Sequence, residues 1–171
     1  MLNLIGAMLI LVSGTMLGFH VSDRFAKRTG QIRLMLHALQ RLETEIAYGR
    51  TPLPAALDKI GRQAAEPVSG LFRHASELMS SDLLTTEDAW RKAVDANWPQ
   101  TAMKESEKEV LKQLGGSLGA SDSADQIKHL RLAMSQLRME EENAAEDQRK
   151  YAKMWRSLGA LCGALVVILV Y

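Results

Sequence analysis

The sequence predicts an all-α protein in which a helical bundle lies between an N-terminal and a C-terminal transmembrane helix. The 21 Lys and Arg and the 20 Asp and Glu residues all lie between Asp23 and Arg156, so both ends of the chain are uncharged. Between those limits apolar residues recur at spacings of three and four, the period of an amphipathic helix, and no alternating run indicates a strand. We therefore divide the chain into residues 1–21, 22–156 and 157–171.

The two uncharged ends have the composition of membrane helices, because a charged residue at the centre of a bilayer costs about 2.5 to 3.5 kcal/mol. Residues 2–19 would span about 27 Å as a helix, close to the thickness of a hydrocarbon core. Residues 158–171 are fewer, but Lys153 and Arg156 can extend their charged ends toward headgroups. A cleaved signal peptide is the alternative for the first end, and a buried or re-entrant helix is the alternative for the second.

Basic residues predict the orientation of the chain in the membrane. Lys and Arg follow the first apolar end and precede the second, and none lies outside them. By the positive-inside rule, the middle of the chain is expected in the cytoplasm and both termini on the far side. The residues concerned are Arg24, Lys27, Arg28 and Arg33 at the first end and Arg149, Lys150, Lys153 and Arg156 at the second.

Each apolar end also carries two glycines four residues apart, Gly14 with Gly18 and Gly159 with Gly163. This spacing lets membrane helices approach closely, because association in lipid depends on van der Waals contact between backbones. The alternative is that glycine is simply common in such helices. We expect these four residues to pack the two spans against each other or to join two copies of the chain.

The charged middle of the chain is expected to form about six helices. Thr51-Pro52 resembles an N-cap followed by proline at the first helical position, and Thr85 with Asp88 resembles a capping box. The first four expected helices run from Ile32 to near Gly49, from Thr51 to about Ala65, from Pro67 through Met79 and from Thr85 to Asn97. The fifth contains Met103 to Leu114 and ends at Gly115, Gly116 and Gly119, and the sixth begins at Ser121 or Ser123.

The last helix has an apolar seam that becomes polar part way along its length. Ile127, Leu130, Met134 and Leu137 follow the spacing of a bundle seam, whereas polar residues follow Met139. We therefore expect the helix to leave the core there and to continue into the membrane as a solvated stalk. The run Glu140, Glu141 and Glu142 is either a solvated face or a candidate docking surface for a basic partner.

No pattern in the sequence indicates catalysis, a metal or a cofactor. The four histidines lack the spacing of a two-histidine zinc site, and the glycines at 115, 116 and 119 lack the lysine of a phosphate-binding loop. The single cysteine, Cys162, lies in an apolar end, away from any activating base. Interspersed charges and a pI near 7.9 also argue against nucleic acid as a partner. We expect neither an enzyme nor a small-molecule substrate.

Five blocks spread along the chain match the sequence pattern of a known family: Glu45-Ile-Ala-Tyr-Gly-Arg-Thr-Pro-Leu53, Trp98-Pro-Gln-Thr-Ala-Met103, Leu118-Gly-Ala-Ser-Asp122, Lys128-His129 with Leu132-Ala133, and Tyr151-x-Lys-Met-x-x-Ser-Leu-Gly159. On these blocks, and over nearly its full length, the chain resembles the stage III sporulation protein AB family of endospore-forming bacteria. The resemblance implies a protein of the mother-cell membrane around the forespore, within a transenvelope complex.

Within that family, the cytosolic part is similar to the helical domain of the platform proteins of type II secretion and type IV pilus machines. Gly49, Leu53 and Leu57 follow the turn pattern between the first two helices of that domain. Platform proteins typically carry two such domains and three spans, so the resemblance does not extend to pilin extrusion. It implies a docking surface for the cytosolic sporulation ATPase.

The sequence thus leads to a non-enzymatic membrane scaffold of the mother-cell to forespore channel complex. Its expected partners are the membrane, the cytosolic sporulation ATPase and other channel-complex proteins, with a homo-oligomer also possible. The alternative is a membrane-tethered sensor or adaptor that binds a small ligand or another protein. A pocket with convergent polar groups inside the bundle would favour the sensor, and a core filled with Leu and Met would favour the scaffold.

Overall fold

A computed structural model describes residues 26–48, 51–81, 84–119 and 122–170, with the side chains of 152, 153 and 155–170 outside the description. Within these ranges the chain forms six α-helices, one short 3-10 helix and no strand, which confirms the all-helical prediction. The helices are α1 (26–48), α2 (Leu53–Gln63), α3 (Val68–Ser80), α4 (Thr86–Asn97), α5 (Glu105–Gly115) and α6 (Ser123–Val170), with the 3-10 turn at Trp98–Gln100.

Each helix packs against the next, and α6 returns to α1. Two side-chain contacts show that α1 and α6 are antiparallel. Arg33 contacts Glu141, and Glu43, which lies later in α1, contacts Arg131, which lies earlier in α6. We call the end of the bundle near the start of α1 the base, because both predicted membrane helices adjoin it. The loops 64–67 and 98–104 lie at the base, and the end of α3, the start of α4 and residues 116–119 lie at the opposite end.

An aromatic pair forms the centre of the core where α3, α4 and α5 meet. Trp90 and Phe72 are completely buried and pack edge to face, with ring centroids 5.7 Å apart. The indole Nε1 of Trp90 donates a 2.6 Å hydrogen bond to the carbonyl oxygen of Leu111 on α5. Gly115 permits this arrangement, since a Cβ atom there would lie 2.6 Å from Cδ1 of Trp90. The indole is therefore paired although it has no access to water.

The predicted helix boundaries are close to those observed, but one of the two expected N-caps differs. Thr85 caps α4 as predicted, because its hydroxyl oxygen accepts a 3.1 Å hydrogen bond from the backbone nitrogen of Asp88. The prediction that Thr51 caps α2 was wrong: Pro52 occupies the N-cap position and no side chain caps the helix. At α6 the capping group is the carboxylate of Asp122, which accepts from the nitrogen of Asp125 at 2.9 Å.

The predicted departure of α6 from the core after Met139 was also wrong. Ala144 is completely buried, and Glu140, Glu141 and Asp147 all contact basic residues of α1. The sequence seam becomes polar because this part of α6 packs against charged side chains instead of apolar ones. The helix therefore remains part of the bundle for about two further turns.

Helix α6 has 48 residues and is continuous to Val170, about 72 Å at 1.5 Å per residue. Among the described residues, no helix has the length and apolarity needed to cross a membrane. The predicted N-terminal membrane helix at 1–21 lies outside the described residues. The predicted C-terminal membrane helix at 157–171 has a helical backbone to Val170, and the structure does not describe its side chains.

Candidate partner-docking site around helix α1

The acidic run predicted as a docking surface is divided between two environments. Glu140 accepts a 2.9 Å hydrogen bond from Nη2 of Arg28, and Glu141 accepts a 2.5 Å hydrogen bond from Nε of Arg33. Glu142 is exposed and lines a groove between α1 and α6. Two of the three carboxylates are thus engaged within the chain, and only Glu142 faces solvent.

Arg28 belongs to a buried ion cluster at the base of the bundle. Its side chain is only 4% exposed, and its Nε donates a 2.8 Å hydrogen bond to Oε1 of Glu107, which has no exposed surface. Glu140 and Asp147 of α6 lie 2.9 and 3.8 Å from the same guanidinium. A single arginine therefore connects helices α1, α5 and α6.

The local sequence of α5 supplies the remaining partners of Glu107. Its Oε2 accepts hydrogen bonds from the backbone nitrogen of Lys104 at 2.8 Å and from the hydroxyl of Ser106 at 3.1 Å. Glu107 is the third residue of α5, where a glutamate reaches back to the unpaired N–H at the helix start. One carboxylate thus caps α5 with one oxygen and holds α1 with the other.

This cluster fixes geometry more than it adds stability. Removing two charges from water costs several kcal/mol per ion, which their attraction repays only with good geometry and further hydrogen bonds. Both conditions are met for Arg28 and Glu107. The cluster therefore determines how α1 and α6 are aligned where they approach the predicted membrane segments.

A second feature of this part of the molecule is a pair of adjoining grooves between α1 and α6. Their volumes are about 360 and 230 Å³. Three arginines and three glutamates line them, and two of the arginines are paired, Arg33 with Glu141 and Arg131 with Glu43. The lining residues are Arg33, Leu36, His37, Gln40, Glu43, Arg131, Met134, Ser135, Arg138, Glu141 and Glu142.

A third groove lies on the other side of α1, between α1 and α2, and has a volume of about 410 Å³. Apolar residues form much of its lining, and no carboxylate contributes to it. The cationic side chain Arg41 contacts the neutral Gln63 through a 3.0 Å hydrogen bond from Nη1 to Oε1. The lining residues are Leu34, His37, Ala38, Arg41, Ile60, Gln63, Ala64 and Ala65.

The histidines show no arrangement for catalysis in the described part of the chain. His37 is exposed between the grooves on either side of α1, and His74 lies 3.0 Å from the amide nitrogen of Asn97 through its Nδ1. His129 is exposed, and His20 lies outside the described residues. No group of three or more His, Cys, Asp or Glu side chains positioned for a metal ion occurs among the residues described.

Sequence reasoning missed both the buried cluster and the apolar groove. Arg28 was interpreted only as a flank of a membrane helix, yet it begins the 3 and 4 spacing of buried residues through Ile32, Met35 and Leu39. That spacing would have indicated a buried position. The groove depends on how α1 and α2 diverge, for which the sequence of one helix gives no signal.

Comparison with known proteins agrees with this architecture. The sequence profile of the family described as Stage III sporulation protein AB matches residues 3–171. The chain is 41% identical over 169 residues to Stage III sporulation protein AB of Bacillus subtilis (strain 168), which covers 99% of each protein. A solved structure of a Stage III sporulation protein AB (SpoIIIAB) superposes with a TM-score of 0.69 at 40% identity, covering 72% of this chain and 98% of the solved one. The chain therefore belongs to the stage III sporulation protein AB family.

Proposed function

We propose that this member of the sporulation family is a non-enzymatic membrane scaffold of the mother-cell to forespore channel complex, and that its helical body docks the cytosolic ATPase of that complex. The observation that carries the proposal is the continuity of α6, which forms part of the core at Leu130 and reaches Val170 without a break. A continuous helix is a stiff connection between a docking surface and a membrane.

The buried ion cluster supports a role in transmitting motion. Arg28 of α1 binds Glu107 of α5 and Glu140 of α6. A displacement of the body would therefore act on α1 and α6, the two helices that lead toward the predicted membrane segments. Helices held only by apolar contacts slide more easily, because such contacts are not directional. Directional hydrogen bonds at the base would keep α1 and α6 in one alignment while a partner pulls on the body.

The same alignment supports pairing of the two predicted membrane helices within one chain. Gly14 lies 19 residues before Arg33, and Gly159 lies 18 residues after Glu141, the ion-pair partner of Arg33. If α1 continued backward along α6 at this antiparallel register, these two glycines would lie at the same level. Close backbone contact at that level would join the spans. Gly18 and Gly163 would then lie one turn to either side.

A ligand sensor is the alternative, and the interior of the bundle favours the scaffold. Among the residues described, the buried hydrophobic side chains are Leu, Ala, Met, Ile, Val and three aromatic ones, and five buried residues are polar or charged. Two of those five, Arg28 and Glu107, bind each other, and Ser69 and Ser76 bind neighbouring groups at 2.7 Å. These four have their hydrogen bonds within the protein, so none of them is left to bind a polar ligand.

Co-purification tests the proposal. The full chain, solubilised in a mild detergent, should retain the purified ATPase of the same complex on an affinity resin. A matched bait that carries Arg28→Met together with Glu107→Leu removes both buried charges without leaving one unpaired, and it tests whether the ion cluster itself is needed for retention. We expect this bait to retain the ATPase. Failure of the wild-type chain to retain the ATPase, with both proteins folded, would contradict the docking role.

A further inference from the structure

We propose that the groove between α1 and α2 is the docking site for an acidic amphipathic helix of the cytosolic partner. This inference rests on the proposed function and adds to it the face that binds and the chemistry of the partner segment. Its basis is the lining of the groove, in which apolar side chains form the floor and the cationic Arg41 lies at the edge, without a carboxylate.

The floor of the groove can accept apolar side chains. Leu34 is partly buried and packs against the core, Ala38 and Ile60 are buried, and Ala64 is partly buried beside them. Leu34 and Arg41 are seven residues apart in α1, which corresponds to about 10.5 Å, or two helical turns. A volume of about 410 Å³ over that length suits the side chains from two turns of a partner helix.

The edge of the groove supplies unneutralised positive charge. Arg41 is exposed, and its hydrogen-bond partner Gln63 is neutral, so its guanidinium retains donors and a full charge for another group. His37, also at the edge, is exposed and close to Arg41 along the helix. A carboxylate on the partner helix would form a charge-assisted hydrogen bond with Arg41.

The α1/α6 grooves provide the contrast that makes this assignment specific. There Arg33 and Arg131 are already paired with Glu141 and Glu43. The third arginine, Arg138, is matched in number by Glu142, which would repel an acidic helix. On the α2 side of α1, the lining contains no acidic residue to compete or to repel. Charge complementarity therefore selects a partner with carboxylates, and it selects the α2 side of α1.

A charge reversal tests the groove. Arg41→Glu in the detergent-solubilised full chain should reduce retention of the ATPase at least tenfold, because a repulsive pair replaces an attractive one. Lys92→Glu is the matched control: Lys92 is an exposed cation on α4, away from the groove, and we expect retention within twofold of the wild type. Far-UV circular dichroism of both variants should show an unchanged helix content.

Photo-crosslinking identifies the segment that binds. A photoreactive benzoyl-phenylalanine at position 63, on the groove edge, should crosslink to the ATPase, whereas the same group at the exposed position 109 of α5 should not. Mass spectrometry of the crosslinked peptide should identify a segment with Asp or Glu among Leu or Ile at helical spacing. A basic peptide, or a crosslink to a second copy of this chain, would overturn the inference.

The results separate the inference from the function on which it rests. If the wild-type chain retains the ATPase and Arg41→Glu does so equally well, the groove is not the docking site and the scaffold proposal stands. If crosslinks form at position 109 and not at 63, the same conclusion follows. If the wild-type chain does not retain the ATPase at all, the proposed function fails and the groove assignment fails with it.

Discussion

Two junctions hold this bundle together by different means. Where α3, α4 and α5 meet, Trp90 and Phe72 fill the interior with aromatic surface and a single hydrogen bond to Leu111. Where α1, α5 and α6 meet, a buried arginine and a buried glutamate bind each other, with further carboxylates around the arginine. Helix α5 takes part in both junctions, so its first turn is held by charge at Glu107 and its later turns by the contacts of Leu111 and Gly115 with Trp90.

The aromatic junction contributes mainly to the stability of the fold, and the charged junction mainly to the alignment of its helices. Apolar burial contributes free energy roughly in proportion to area and tolerates small shifts, because it has no preferred direction. A buried ion pair contributes little net stability but is costly to break, so it penalises any alignment other than its own. The junction that tolerates shifts lies within the body, and the junction that resists them lies at the base, beside the predicted membrane helices.

The largest expected effect is at the aromatic junction. Trp90→Ala should lower the free energy of unfolding by about 3 to 5 kcal/mol, because it removes the most voluminous fully buried side chain and leaves a cavity. Urea unfolding followed by far-UV circular dichroism measures the change. Arg91→Ala, at an exposed neighbouring position, is the control and should change the unfolding free energy by less than about 0.5 kcal/mol.

At the charged junction, Arg28→Met should also be strongly destabilising, by about 3 to 5 kcal/mol, because it leaves Glu107 buried without its cation. The double variant Arg28→Met with Glu107→Leu removes both charges, so it should recover most of the lost unfolding free energy. The two measurements together give the coupling between the residues. If the double variant has as low an unfolding free energy as the single one, the loss comes from the packing of the Arg28 side chain and not from the unpaired charge of Glu107.

The sequence predicted the helices well and the charged junction poorly, for physical reasons. Helix positions follow from local periodicity and caps, which is why α4 begins where Thr85 and Asp88 predict it. The burial of Arg28 depends on Glu107, which lies 79 residues away in the chain, and no local pattern links the two. For the same reason the acidic run at 140–142 indicated charge without revealing that α1 binds two of its members.

The groove was unpredictable for a different reason. Leu34 of α1 and Ile60 of α2 are apolar residues, and a buried and a half-buried apolar position look alike in sequence. Whether such residues line a groove depends on the separation of two helices, which the intervening loop and the neighbouring side chains determine. The predicted glycine pairs at 14, 18, 159 and 163 remain predictions, since those at 14 and 18 and the side-chain surroundings of 159–163 are not described.

An intermediate effect is expected where the backbone of α5 contacts the indole. Gly115→Ala should lower the free energy of unfolding by about 1 to 3 kcal/mol, because the new Cβ would overlap Cδ1 of Trp90, which is too tightly packed to move. Gly116→Ala provides the control, since a Cβ there meets its nearest atom at 3.6 Å, an ordinary contact. Thermal unfolding of the two variants compares them directly, and equal melting temperatures would contradict tight packing around Trp90.

The smallest effect is at the exposed edge of the aromatic junction, and it depends on pH. Hydrogen bonds from Lys112 and Lys108 on α5, at 2.9 and 3.0 Å, hold the pKa of the Asp95 carboxyl on α4 below its usual value of 3.8. A depressed folded-state pKa stabilises the protein above the unfolded pKa, and the contribution disappears as the pH falls through the folded value.

We therefore expect the unfolding free energy of the wild type to fall on acidification by more than that of Asp95→Asn, between about pH 5 and pH 2. The difference should be less than about 1 kcal/mol, because Asp95 is half exposed and solvent screens its ion pairs. The pKa of Glu66 is lowered too, chiefly by its hydrogen bond from Ser69, so the variant must be compared with the wild type at each pH. A larger decline in Asp95→Asn would mean that Asp95 destabilises the α4/α5 contact, and that the aromatic core alone holds those helices together.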